Sequence, residues 1–221
     1  MHILIVGASR GLGLELVSQY RAQGADVTAT ARDETGLDRL RLLGADALRL
    51  DVADAAGTAA PPWRQGGAVF DTVVLNAGVF GPRTDGLQAP SEADFDAVMH
   101  TNVLGAMRLL PQVVDRLAPG ARLAVISSRM GSMALRSSTA AWLYRASKAA
   151  LNSVLKDVSL VLAGRAVCVA LHPGWVRTDM GGSGADLAVT EAVARIRRTL
   201  AALQPEDNGA FLNVDGTPLA W

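Results

Sequence analysis

Ile3-Leu4-Ile5-Val6-Gly7-Ala8-Ser9-Arg10-Gly11-Leu12-Gly13 is the stretch on which the reading of this chain turns. Four apolar residues read as a short buried strand, and glycines at 7, 11 and 13 then let the backbone reverse tightly into a helix. The first amides of a helix lack partners within it and carry the positive end of its dipole, so they suit a diphosphate. A glycine run alone also fits a plain structural turn; its place between strand and helix favours a dinucleotide site. Further short apolar runs follow at Val27 to Ala31, Ala47 to Leu50, Thr72 to Leu75, Leu123 to Ile126, Val167 to Leu171 and Ala210 to Val214. Segments of helical period separate them. Leu12, Leu16, Val17 and Tyr20 fall on one stripe, as do Val189, Val193, Ile196, Leu200 and Leu203 on a helix expected to open at Thr190. This alternation predicts an α/β fold, a parallel sheet covered by helices on both faces. Ala53 to Gly67, rich in Ala, Gly and Pro, reads as a short helix and a loop, and residues 1–221 read as one domain.

Composition removes several function classes. Half of the 221 residues are hydrophobic, and 21 basic side chains balance 21 acidic ones, which describes a globular chain with a substantial core. Zero net charge and the lack of a basic tract argue against a nucleic-acid partner. The first apolar run stops well short of the ~20 residues that cross a bilayer. It also lacks the flanks of a secretory signal, so a cytoplasmic location without a membrane partner is expected. Cys168 is the single cysteine and sits in the apolar run Ala166 to Leu171, where it reads as a core thiol. No metal site is expected.

The chemistry concentrates in Tyr144-Arg145-Ala146-Ser147-Lys148, with Ser128 sixteen residues upstream. Positions four apart share a helix face, so the Tyr144 phenol and the Lys148 ammonium can be presented to one cavity. A free phenol titrates near ~10, and a nearby cation favours its ionised form. Bringing it to about 7 takes roughly 4 kcal/mol, at about 1.4 kcal/mol per unit. One lysine does not supply all of that; a cationic cofactor ring beside it supplies the rest.

Several motifs, in order along nearly the whole chain, resemble the short-chain dehydrogenase/reductase family. They are the glycines at 7, 11 and 13, Asp51-Val52, Asn76-Ala77-Gly78, Asn102-Val103-Leu104-Gly105, Ser128 three residues before Gly131, the Tyr144/Lys148 pair and His172-Pro173-Gly174. The resemblance implies a single-domain Rossmann fold, doubly wound, with a seven-stranded parallel sheet in the order 3-2-1-4-5-6-7. It implies four catalytic residues: Tyr144 as proton donor, Lys148 on the nicotinamide ribose, Ser128 rather than Ser127 on the substrate carbonyl, and Asn102 bending its helix and holding a water behind Lys148. Asn102 is expected near the start of a long helix.

The same resemblance assigns the cofactor. Gly7, Ser9, Arg10, Gly11, Leu12 and Gly13 face the diphosphate side, Asp51 and Val52 the adenine, and Asn76, Ala77 and Gly78 the adenosine. Pro173, Gly174, Val176 and Thr178 reach the nicotinamide end. An acid after the second strand would bind a ribose 2′-hydroxyl. Here the place is Ala31-Arg32, and with Arg10 the two guanidiniums imply NADP(H) rather than NAD(H). The plain alternative is two solvated arginines, with Asp33 able to turn Arg32 aside. Val6 and Leu75 replace a Thr and an Asn common in the family. The long interval between Ser128 and Tyr144, filled by a loop over Met133 to Trp142, and the C-terminal Asn208 to Trp221 resemble C-factor-like proteins and sniffer-type carbonyl reductases. The implied activity is NADPH-dependent reduction of an aldehyde, ketone or quinone, with a signalling protein of little turnover as the alternative and a homodimer or homotetramer as the assembly. His172 is set aside as a catalytic group, Trp142, Leu143, Trp175 and Met180 are candidate apolar walls, and Gly181 to Gly184 is a candidate hinge.

Overall fold

The computed structural model describes residues 1–64 and 67–221. Its strands are β1 His2–Val6, β2 Asp26–Ala31, β3 Asp46–Arg49, β4 Phe70–Leu75, β5 Leu117–Ile126, β6 Ala166–His172 and β7 Ala210–Asn213. All pair in parallel within one sheet of order β3-β2-β1-β4-β5-β6-β7, the doubly wound arrangement expected. The helices are α1 Gly11–Ala22, α2 Glu34–Leu42, α3 Ala55–Ala59, α4 Glu92–Met99, α5 Gly105–Val114, α6 Trp142–Val161 and α7 Val189–Ala202.

Alternation along each strand divides the core between the two faces. Ile3 and Ile5 join Leu16, Val17, Ile196 and Leu200 under α1 and α7, while Leu4 and Val6 join Leu109, Leu110, Leu151 and Leu155 under α5 and α6. Because both faces are covered, the inner strands read as continuous apolar runs rather than alternating ones. Cys168 is fully buried in this core, and burial pushes its thiol up to about 12, as suits an inert core residue. Among the described residues no helix is long and apolar enough to cross a membrane.

Three expectations are corrected in detail. β5 starts at Leu117 rather than Leu123, since a register shift between Phe70 and Thr72 lets its early part pair with β4. α7 opens at Val189 behind Ala188, so Thr190 stands in the first turn, where its carbonyl accepts from Gln19 Nε2 at 2.9 Å. Asn102 is not at a helix start. α4 already begins at Glu92, capped by Ser91, and Asn102 lies in a π-helical turn, His100–Leu104, between α4 and α5. The Ala53 to Gly67 segment holds α3, capped by Asp54, and a 3-10 turn at Pro62–Arg64; Gln65 and Gly66 of that reading lie outside the described residues.

After β1 the chain turns to β2 on one side, and β4 lies on the other, so a crevice opens above the ends of β1 and β4. The floor of the crevice is tight. Gly7 has φ +84°, and a Cβ there would stand 2.6 Å from Ala77 Cα. Asn76 Nδ2 donates to Gly7 O at 2.6 Å, and the amides of Asn76 and Ala77 both donate to Val6 O at 2.9 Å. Thr30 Oγ1 accepts from the Gly7 amide at 3.0 Å, a contact supplied from β2. A Cβ on Gly13 would fall 2.3 Å from Gly7 O and 2.7 Å from Asn76 Nδ2. Gly13→Ala should therefore cost about 1–3 kcal/mol, the ordinary penalty of overpacking, and lower the thermal midpoint by several degrees. Gly184→Ala, whose added methyl would only touch Trp175 at 3.9 Å, should leave that midpoint nearly unchanged in the same calorimetric scan.

Candidate active site

Two cavities meet at the Tyr144 ring. The first is the crevice above β1 and β4, lined at one end by Gly7, Ser9, Arg10, Gly11 and Leu12, and beyond them by Arg32 with Asp51 and Val52. Asn76, Ala77 and Gly78 form its base, and Tyr144, Lys148, Pro173 and Thr178 its far end. Gly13 lies beneath rather than in it, while Gly174 and Val176 line the second cavity. The start of α1 has no side-chain cap, so its first amides are left to whatever enters. The crevice thus offers uncapped amides and arginines to an anion at one end, and the Lys148 ammonium and Thr178 hydroxyl to polar groups at the other.

The charged groups there are arranged unequally. Arg10 forms an ion pair with Asp179, both side chains largely exposed. Arg32 has no ion pair among the described residues, and Asp33 does not turn it aside, because Asp33 caps α2 by accepting from Gly36 N at 2.8 Å. Arg39, not singled out from the sequence, reaches the same rim from α2 and donates to Ser9 O at 3.2 Å. Asp51 is free of helix capping, since Asp54 takes that task, and it accepts from Ala53 N at 2.9 Å.

At the far end Tyr144 and Lys148 come from successive turns of α6, with the Lys148 Nζ 5.7 Å from the phenol ring centre. Both are buried. Burial pushes the Tyr144 phenol up to about 12, opposed by a side-chain hydrogen bond with Ser128, and burial pulls Lys148 down to about 8. Lys148 Nζ donates to Ile126 O at 2.8 Å, which ties α6 to the end of β5. The phenol is thus neutral at pH 7 in this state. The lowering expected from a neighbouring lysine is outweighed by desolvation in the chain without a cofactor.

Ser128 caps the 3-10 turn Arg129–Gly131, accepting from Met130 N at 3.1 Å, and faces Tyr144. Ser127, which also lines both cavities, donates to Asn152 Oδ1 at 2.5 Å. Asn102 lines neither cavity. Its Oδ1 accepts from Val79 N, and its Nδ2 donates to Val79 O and to Ser147 Oγ, all within 2.9 Å. Ser147 in turn donates to Tyr144 O, so the π-helical turn braces α6 from behind.

The second cavity, about 500 Å³, opens on the other side of Tyr144 and Ser128. Of the expected walls, Trp175 and Met180 line it. Trp142 and Leu143 do not: Trp142 donates its indole N–H to Gln88 O at 2.8 Å, and Leu143 is buried. The Gly181 to Gly184 stretch is folded back rather than open, with the Gly181 and Gly182 amides donating to Oγ1 and O of Thr178. His172 lines the cavity with its Nδ1 unpartnered among the described residues, and burial, then the charge of Arg129, lowers it to about 4. It stays uncharged at neutral pH. The insertion before α6 is pinned by the last residues of the chain, through Ser132 Oγ donating to Ala220 O and Ala134 N to Trp221 O.

Sequence reading passed over Phe80 and Arg83. Phe80 stacks on the Tyr144 ring with centroids 4.6 Å apart, and the Arg83 guanidinium lies 4.8 Å above the Phe80 ring. The loop carrying them follows Asn76-Ala77-Gly78, and no periodicity or spacing marks where it folds.

Comparison with known proteins agrees with this geometry. The model of the family described as short chain dehydrogenase matches residues 1–186. The protein named C-signal of Myxococcus xanthus is 39% identical over 154 residues, covering 68% of this chain and 92% of that protein. Among solved structures, the carbonyl reductase Sniffer of D. melanogaster superposes with a TM-score of 0.89 at 30% identity, covering 100% of this chain and 99% of that one. An NADPH-bound carbonyl reductase from chicken fatty liver gives 0.88 at 30% identity, covering 100% of this chain and 94% of that one. The glycine crevice, the Tyr144/Lys148 face and these matches together make the chain a member of the short-chain dehydrogenase family of oxidoreductases.

Proposed function

We propose that this chain is an NADPH-dependent carbonyl reductase, and the observation that carries the reading is Tyr144 forming the wall shared by two cavities, with Lys148 on one side and Ser128 on the other. Bound NADPH supplies the hydride that goes to the carbonyl carbon. Ser128 donates a hydrogen bond to the carbonyl oxygen and holds it beside the phenol. Tyr144 then donates its proton to that oxygen as negative charge develops there. A neutral phenol is the protonation state this step requires, and burial maintains it. Lys148 holds the nicotinamide ribose and supports the phenolate left behind, and Asn102 keeps α6 in register through Ser147. Arg32 holds the 2′-phosphate, with Arg39 at the same rim and Arg10 paired to Asp179 beside it, which favours NADP(H) over NAD(H). Residues 1–221 act as one domain on a small carbonyl compound.

A second reading draws on the C-signal relative: a dinucleotide-binding protein whose role is signalling, with little turnover. NADPH oxidation by the purified protein with aldehydes, ketones and quinones separates the two readings. Consumption with none of them favours the second.

Tyr144→Phe should lower kcat by about 10²–10⁴-fold, the usual contribution of general acid catalysis, with NADPH affinity changed less than twofold. Arg32→Ala should weaken NADPH about tenfold by fluorescence titration and leave NADH unchanged, as loss of one charged hydrogen bond dictates. Lys148 adds a pH signature. Its folded value near 8 lies below the ordinary lysine value of 10.5, so between these pH values the unfolded chain binds the extra proton and folding gains stability as pH rises. The wild-type midpoint without cofactor should therefore climb by a few degrees relative to Lys148→Met between pH 7.5 and about 10. Parallel curves for the two proteins would place the ammonium outside the buried site.

A further inference from the structure

The second cavity carries a charge pattern that proton and hydride transfer do not require. Arg83 from the loop after β4, Arg129 from the turn after β5 and Arg145 from α6 all line it, and among the described residues no Asp or Glu does. Arg129 directly follows Ser128, Arg145 directly follows Tyr144, and Arg83 is one aromatic ring removed from the phenol, through Phe80. Burial, and next the charge of Arg136, lowers the pKa of Arg145, so a fourth guanidinium stands close by. Among the described residues none of these four arginines joins an acid in an ion pair, and the nearby Asp179 carboxylate is taken by Arg10. Arg83 donates to Met180 O at 3.0 Å and Arg145 Nε to Ala140 O at 2.7 Å, so carbonyls hold two of these guanidiniums in place while their charge is met by no acid among the described residues. Phe80, Met130, Leu135, Trp175 and Met180 supply an apolar wall between them.

Resting on the reductase reading for where the carbonyl sits, we propose that the substrate is an anionic carbonyl compound. Its carbonyl lies at Ser128 and Tyr144, its apolar or aromatic body against Phe80 and Trp175, and its carboxylate or phosphate among Arg83, Arg129 and Arg145. With Phe80 between Arg83 and the phenol, an anion that reaches Arg83 stands away from the carbonyl, whereas Arg129 and Arg145, next in sequence to Ser128 and Tyr144, serve one nearer to it. Guanidinium forks match either oxyanion.

The test compares aldehydes that share a benzaldehyde body and differ in the charge of the para substituent. Binding of 4-carboxybenzaldehyde, its methyl ester and 4-formylphenyl phosphate to the NADP⁺-loaded protein is measured by calorimetry at low and high salt, with NADPH oxidation followed in parallel. At low salt one or both anions should bind about tenfold more tightly than the ester, and the advantage should shrink with salt, since Arg83 and Arg129 are exposed. Charge reversal in Arg83→Glu and, separately, in Arg129→Glu should reduce the ratio of anion to ester affinity toward one. Two independent variants guard against one failing to fold, and a melting curve checks each. Equal affinity of acid, phosphate and ester, or an advantage that survives both reversals, overturns the inference while ester reduction leaves the reductase standing. Tight anion binding without NADPH oxidation does the reverse.

Discussion

A buried ammonium on a strand-end carbonyl, Lys148 Nζ on Ile126 O at 2.8 Å, fixes helix α6 against β5, and the geometry of the site follows from it. A lysine taken fully out of water must either find partners or lose its proton, and here, with Ile126 O as its one hydrogen-bond partner among the described residues, burial lowers it to about 8. The backbone is built around this placement. A Cβ on Gly131 would stand 2.8 Å from the Lys148 carbonyl carbon, so the turn after β5 presses directly on the helix. Asn102 braces the opposite side through Ser147, and its π-helical turn is what aims that amide inward. Tyr144, one turn ahead of Lys148, is thereby held at the junction of two cavities.

Desolvation governs the resting chemistry of that junction. Tyr144 and Lys148 are both moved toward their neutral forms, the phenol upward and the amine downward. The simple picture of an ammonium acidifying a phenol describes a pair in water-like surroundings. In a dry pocket the cost of either charge dominates, and the proton remains on oxygen until a bound group changes the field. For a proposed reduction this is the useful state, since the reaction consumes a proton from the phenol.

The two ends of the crevice show how unequal the reach of a motif can be. The close backbone approach read from the glycines is present at Gly7 and Gly13, where a Cβ would collide with Ala77 and with Gly7 O, although Gly13 lies beneath the crevice rather than in it. The arginines read beside them are less alike than the sequence suggested. Arg10 is held by Asp179 across the crevice, Arg32 is not held by an acid among the described residues, and Arg39 joins them from a helix that carried no signal. An ion pair between residues far apart in the chain is invisible until the fold closes.

The amino-acid sequence by itself determined the sheet, its helices and the order of the motifs, because strand and helix periods and the glycine turn are local properties of the chain. Helix spacing also put Tyr144 and Lys148 on one face, while Ser128 and Asn102 were singled out only through the family resemblance. Sequence reading misplaced the start of β5 and the setting of Asn102, which depend on pairing with β4 and on an extra residue accommodated in mid-helix. Only the tertiary structure decided which way the phenol and ammonium are shifted, since burial is a sum over neighbours from the whole chain. Only it placed Phe80, Arg83, Arg129 and Arg145 around one cavity and sent Trp142 and Leu143 elsewhere. Those residues lie on loops and on one helix face whose contacts come from other elements, and convergence of that kind leaves no mark in any single stretch of sequence.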